Sequence, residues 1–340
     1  MPGTTRSWPP LDIWRGELAW IKRWGISIVS FVGGCLTLLV FRRGLPGVGW
    51  IIGYLVLLWL IFVVLTQVRQ ALMARGRSMM VVAADYTIQT LYHGLLLFAL
   101  PAYYASSTLT SANGLFVLLL LVLALLATFD PLYQAVVHPR PWVSLVFFVV
   151  STFAALAVAL PLIGVPQFIS LIASALASVL VLTPEIRRAR RWTWKQSFAV
   201  AGALGLAAAI LVGLFRAWIP PAPLTVARAL ITDRVEHLEP GAPLESPISV
   251  ADLRRRGGVV AYTAIYAPES LRETIVHVWR LNGAIQEVVR LSPVEGGRRE
   301  GFRTYSRKSN FPANPAGRWR VDVMTSSGQL IGRLRFRVAS

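Results

Sequence analysis

The chain has 340 residues, 55% of them hydrophobic and only 15% charged, with a mean hydropathy of +0.58. That balance is too apolar for an ordinary water-soluble protein. The net charge of +18 would suit nucleic acid, but up to residue 218 most basic residues lie between apolar runs. Topology signals and anionic-lipid contacts belong there, so nucleic acid is set aside as a partner. The single cysteine, Cys35, allows neither an intrachain disulfide nor a cysteine-based metal site.

The first segment, 1–24, carries Leu11, Trp14, Leu18 and Ile21 at helical spacing, with Asp12, Arg15 and Lys22 off that stripe. This pattern predicts an interfacial amphipathic helix, and the segment is not read as a cleavable signal. Seven apolar runs follow, at 25–41, 48–68, 86–106, 114–129, 142–164, 167–183 and 198–218. Each approaches or meets the roughly 20 residues that a bilayer core requires. The expectation is a seven-helix transmembrane domain over 25–218, with the fifth and sixth helices paired as a hairpin across Pro161 and Pro166. Arg69, Arg75, Arg77, Arg140 and the cluster Arg187, Arg188, Arg190, Arg191 and Lys195 fall on connections of one side. The opposite short connections carry only Arg42 and Arg43. This asymmetry predicts a cytoplasmic N-terminus, anionic headgroups as partners at the cytoplasmic face, and a C-terminal domain on the far side, the periplasm of a bacterial inner membrane.

Polar residues inside the spans are few: Gln67 in the second, Gln89 and His93 four residues apart in the third. Asp85 and Asp130 sit at span borders. A coupled transporter normally shows a midplane carboxylate or a broken helix, so these residues read first as packing groups. They are also where the alternative function, a small-solute or lipid transporter or a lipid-handling membrane enzyme, would have its pathway. No His and carboxylate spacing suits a metal, and no cofactor is expected.

Pro220, Pro221 and Pro223 end the last run, and the texture then changes from helical to alternating over 219–340. Strands are predicted at 224–231, 259–266, 274–281, 284–291, 302–307, 318–324 and 330–338. Trp319, Val321 and Val323 alternate with Arg318, Arg320 and Asp322, and Leu334, Phe336 and Val338 with Arg333, Arg335 and Arg337. One buried and one wet face per strand argues for a small antiparallel sandwich. Asn282-Gly283 predicts a two-residue type I′ hairpin, since both central residues need positive φ. Ser326, Ser327 and Gly328 predict a second turn.

His277 and Trp279 share a strand face with Ile275 and Leu281, which reads as a core tryptophan beside a hydrogen-bonded histidine. A Ser-His-carboxylate triad has its residue types in Ser306, His277 and Asp322, but nothing in the sequence brings them together. Arg303, Tyr305, Arg307 and Lys308 are predicted to form a cationic, aromatic-bearing edge suited to a phosphate, a carboxylate or an acidic glycan. With His277 they are the candidate ligand-binding residues. The same pattern also describes a strand edge guarded by cations against aggregation.

His277-x-Trp279, then Arg303-Thr304-x-Ser306, then Gly317-x-Trp319-x-Val321-x-Val323, then Gly328 resemble the bacterial C-terminal domain of unknown function 2914. The resemblance covers about 224–338. The whole architecture resembles a bacterial inner-membrane family of unknown function in which such a domain follows a multi-span region. It implies an immunoglobulin-like periplasmic sandwich and supplies no catalytic residues. The aromatic that often precedes the Arg-Thr-x-Ser motif is here Phe302. The expected function is therefore non-enzymatic: a helical bundle that anchors or senses, and a β domain that binds a periplasmic protein or an envelope glycan.

Overall fold

The computed structural model describes residues 78–137 and 139–339, together with Val64, Val68 and Arg75. The amphipathic segment 1–24, the first apolar run, nearly all of the second, Cys35 and Gln67 lie outside the described residues.

The helical part comprises α1 (Ser78–Ala105), α2 (Gly114–Thr128), α3 (Asp130–Val136), α4 (Pro141–Leu162), α5 (Gln167–Leu180), α6 (Thr183–Arg190) and α7 (Trp194–Leu214). Their boundaries have local causes. Thr193 and Gln196 form a reciprocal capping box that starts α7, and Arg191 ends α6 in the left-handed region at φ 54°. Seven spans are not supported. Among the described residues three helices are long and apolar enough to cross a bilayer: Pro141–Leu162, Gln167–Arg190 taken as one, and Trp194–Leu214. A fourth is added only if α2 and α3, bent by 106° at Phe129, form one broken span. Two of the seven predicted runs lie wholly or almost wholly outside the described residues, and the third and fourth fall short for physical reasons. Thr87, Gln89, Thr90 and His93 dilute α1, and the 15 residues of α2 rise only about 22 Å, short of the roughly 30 Å apolar core. The outer side of α7 exposes Leu204, Leu206, Ile210, Leu211 and Leu214, each more than half accessible. So continuous an aliphatic stripe suits lipid rather than water.

Twelve strands follow: β1 (Thr225–Thr232), β2 (Val235–Glu236), β3 (Glu239–Pro240), β4 (Ile248–Ser249), β5 (Val259–Tyr266), β6 (Arg272–Glu273), β7 (Ile275–Leu281), β8 (Ala284–Arg290), β9 (Val294–Glu295), β10 (Phe302–Lys308), β11 (Gly317–Thr325) and β12 (Leu330–Ala339). All seven predicted strands are present to within a residue or two, and the five additional strands are two-residue pairings too short to leave a periodic signal. The main sheets run β1-β5-β10 and β4-β12-β11-β7-β8. Their inner faces share one core that includes Ala261, Ile265, Trp279, Trp319, Val321, Val323 and Phe336. Asn282 and Gly283, at φ 49° and 96°, make the β7–β8 turn as the dipeptide predicts. Gly317 explains its own place in the motif: it sits at φ 145°, and a Cβ there would lie 2.7 Å from the Asn282 side chain.

The sandwich is seated end-on upon the bundle. Asn113 Nδ2 in the α1–α2 connection donates to the Leu330 carbonyl at 3.0 Å. Gln329 Nε2 donates to the Ile219 carbonyl at 3.0 Å, and Arg216 donates to the Ser327 carbonyl. The N-terminus of α5, which has no side-chain cap of its own, is capped from the other domain: Gln167 N donates to Glu273 Oε2 at 3.1 Å. Connections 106–113, 163–166 and 215–222 thus meet one end of the sandwich. The arginine cluster 187–191 precedes α7, whose 21 residues rise about 31 Å before reaching that end.

Candidate functional site

The structure divides the predicted site residues among three places. The first is the core. His277 is 0% exposed, and its Nε2 lies 3.2 Å from Thr263 Oγ1 and its Nδ1 2.8 Å from Ser306 Oγ. Trp279 Nε1 donates to the same Ser306 oxygen at 3.0 Å. One proton assignment satisfies every group. Thr263 O–H donates to the Thr304 carbonyl at 3.5 Å, His277 Nε2–H to Thr263, Ser306 O–H to His277 Nδ1, and Trp279 N–H to Ser306. The network bridges the two sheets, since β7 carries His277 and Trp279 while β5 and β10 carry Thr263 and Ser306. A serine beside a histidine is two thirds of a hydrolytic triad, but Ser306 is only 3% exposed. Asp322, on the other face of its sheet, is held by Arg280 and Arg333. The geometry ties a core together and leaves no approach for a substrate.

Burial pushes the His277 pKa down from 6.5 to about 4. Its folded-state pKa lies below the unfolded one, so the unfolded chain binds more protons between pH 6.5 and 4. The contribution is complete above pH 6.5 and lost as pH falls toward 4, about 3 kcal/mol in all. The thermal midpoint of the full chain in detergent is expected to fall from pH 7 to pH 4.5, and His277→Gln is expected to flatten that fall. Burial raises the pKa of Glu273, which acts with the opposite sign, so the comparison between the two chains isolates the histidine.

The second place is β10, whose alternation separates the predicted edge into two faces. Arg303, Tyr305 and Arg307 point outward, while Thr304, Ser306 and Lys308 point inward. Lys308 is 5% exposed and reaches Glu287 Oε2 at 2.6 Å. On the outer side, Arg303 binds both Glu239 and Glu300, and Arg307 donates to the carbonyls of Arg256 and Gly257 at 3.3 Å. Tyr305 stands 43% exposed, opposite Tyr262. Beside this face is an open cleft of about 440 Å³ lined by His237, Leu238, Arg298, Arg299, Glu300 and Arg303. Sequence reasoning missed the cleft, which depends on the His237-Leu238 turn folding over the sheet with both residues at positive φ.

The third place lies among the helices. Gln89 Nε2 donates to the Ala127 carbonyl at 3.1 Å and to Asp130 Oδ1 at 2.5 Å. His93 Nδ1 lies 3.0 Å from Thr128 Oγ1, which itself donates to the Ala124 carbonyl. These side chains serve the end of α2 where the chain bends and terminal carbonyls lose their helical partners. Among the described residues no group of His, Cys, Asp and Glu is arranged to hold a metal.

Fold and sites together define an apolar helical region, of a kind that associates with membranes, carrying a C-terminal two-sheet β domain. The chain belongs to the Family of unknown function (DUF5924), whose profile matches residues 14–260, and residues 272–338 match the Protein of unknown function (DUF2914). No curated protein and no solved structure matches the chain. The gap between the two matched regions falls inside the sandwich. β1 precedes it and β5 enters it, so residues 272–338 by themselves hold one of the three strands of the β1-β5-β10 sheet.

Proposed function

We propose that the protein is a non-enzymatic, membrane-anchored binding protein of the bacterial envelope, with an immunoglobulin-like domain turned to the periplasm. Strand order supports the immunoglobulin reading. β1-β5-β10 corresponds to strands A-B-E and β12-β11-β7-β8 to G-F-C-C′, β4 runs parallel to β12, and the buried Trp279 lies on the C-strand equivalent. The orientation is supported by the arginines of 187–191 lying a full helix length from the sandwich.

One observation carries the binding role. The end of the sandwich that bears the B–C and F–G connections, with Glu273 and Ser327 to Leu330, is spent on the protein's own bundle. Among the described residues the bundle leaves the face with Tyr305 to a partner. The face with Tyr305, Arg303 and Arg307 and the neighbouring cleft offers an aromatic platform between guanidiniums, suited to a carboxylate-bearing protein segment or an envelope glycan. With a photocrosslinking residue at Tyr266, exposed at the end of the same sheet, the full chain in its native membrane is expected to capture a discrete partner. Replacing Arg303, Tyr305 and Arg307 together by Ala is expected to reduce that capture at least tenfold, and unchanged capture would remove this face.

A further inference from the structure

The outer face of the five-stranded sheet presents arginines in register with arginines. Arg318 on β11 is directly opposite Arg337 on β12. Arg320 lies between Arg335 on one neighbour and Arg280 on the other. Only the next row is compensated, where Asp322 faces Arg333. Its one carboxylate is shared by Arg333 at 2.5 Å, Arg280 at 3.1 Å and Arg320 at 3.7 Å. Among the described residues Arg318, Arg335 and Arg337 have no ion pair, and all three are exposed. The polar bond available to Arg335 is to Thr110 Oγ1 in the α1–α2 connection, at 2.8 Å.

Like charges directly opposite one another weaken a sheet, so folding alone does not select this arrangement. Strand geometry sets the lattice: neighbouring cations stand about 5 Å apart across the strands and about 7 Å apart along them. The rows also have a direction. β12 starts at the bundle with Leu330, and from Arg333 to Arg337 its backbone runs on for about 14 Å, with the Arg335 side chain reaching back to Thr110 of the α1–α2 connection. A plane of lipid headgroups would meet one row at most. An extended chain bearing an anion every 5 to 7 Å would meet them all, and guanidinium forks bind carboxylate and phosphate bidentately.

We infer that this arginine ladder is a docking surface for an acidic glycan, a linear saccharide chain with regularly spaced carboxylates or phosphates. The inference rests on the proposed envelope-binding role but uses a different face from Tyr305. On that other face Arg303 and Arg307 have partners of their own in Glu239, Glu300 and two backbone carbonyls, whereas Arg318, Arg335 and Arg337 of the ladder have no carboxylate partner among the described residues.

The test uses the full chain in phosphatidylcholine nanodiscs and oligogalacturonate as probe, with its methyl ester as the uncharged control. Binding is expected for the acid and not for the ester, weakening steeply with salt. The variant with Arg318→Gln, Arg335→Gln and Arg337→Gln is expected to bind at least tenfold more weakly while melting at or above the wild-type temperature, because like-charge contacts are removed. The variant with Arg303, Tyr305 and Arg307 replaced by Ala is expected to bind the acid normally, so failure of that face leaves the ladder standing. Equal binding by the wild type and the glutamine variant would overturn the inference. So would a lower melting temperature of the glutamine variant, which would make these arginines structural. Preference for a phosphatidylglycerol nanodisc or a single-stranded oligothymidylate over the glycan would assign the face to a different partner and overturn it equally.

Discussion

Asp322→Ala is expected to be among the most damaging single changes in the β domain, although the residue lies on the outer face of its sheet. Its side chain is 5% accessible and Arg333 beside it only 13%. Removing the carboxylate leaves the guanidiniums of Arg280, Arg320 and Arg333 crowded together in a poorly hydrated place. Breaking a buried pair from one side costs about 3 to 5 kcal/mol, because the stranded charges keep their desolvation penalty. For a domain of this size that corresponds to a fall in thermal midpoint on the order of 15 °C, measurable by circular dichroism on the full chain. Arg335→Gln, one row along the same face, is expected to cost little, since Arg335 has no carboxylate to lose. A near-wild-type midpoint for Asp322→Ala would show that solvent already screens the cluster.

Trp279→Ala is expected to cost a similar amount for a different reason. Trp279 is 0% exposed and packs edge-on to Phe336, with ring centroids 6.3 Å apart. Truncation opens a cavity between the sheets at a cost of about 3 to 5 kcal/mol. It also removes the N–H that Ser306 accepts, in a network whose other members have no water to turn to. Trp279→Phe keeps most of the packing and loses that hydrogen bond, so its cost is expected near 1 kcal/mol. Melting curves of the two variants separate packing from the polar bridge, and equal midpoints would refute that division.

Much of this protein was written locally in its chain. The change at Pro220 from apolar runs to alternating strands, the Asn282-Gly283 hairpin and the inward face of Ile275, His277 and Trp279 all depend on residues near one another in sequence. Period, turn chemistry and proline act over that range. Long-range placement was not legible. Arg303, Tyr305, Arg307 and Lys308 read as one edge, yet strand alternation put Lys308 inside against Glu287, and the partners Glu239 and Glu300 became visible only when the chain folded back. Ser306 and His277 are brought together by the packing of one sheet on the other. The helices Gly114–Thr128 and Asp130–Val136 read as little more than one span and its border. At their 106° bend Gln89 of a preceding helix donates to the Ala127 carbonyl, and His93 of the same helix meets the Thr128 hydroxyl.

The amino-acid sequence by itself determined the kind of material at each position, apolar for lipid and alternating for a two-faced sheet, because hydrophobic period and backbone propensity act over a few residues. The tertiary structure alone decided which charges meet. Strand register set Arg320 between Arg280 and Arg335 and brought Asp322 within reach of three guanidiniums. Electrostatic neighbours are chosen by pairing across the sheet, at distances along the chain that no local pattern spans.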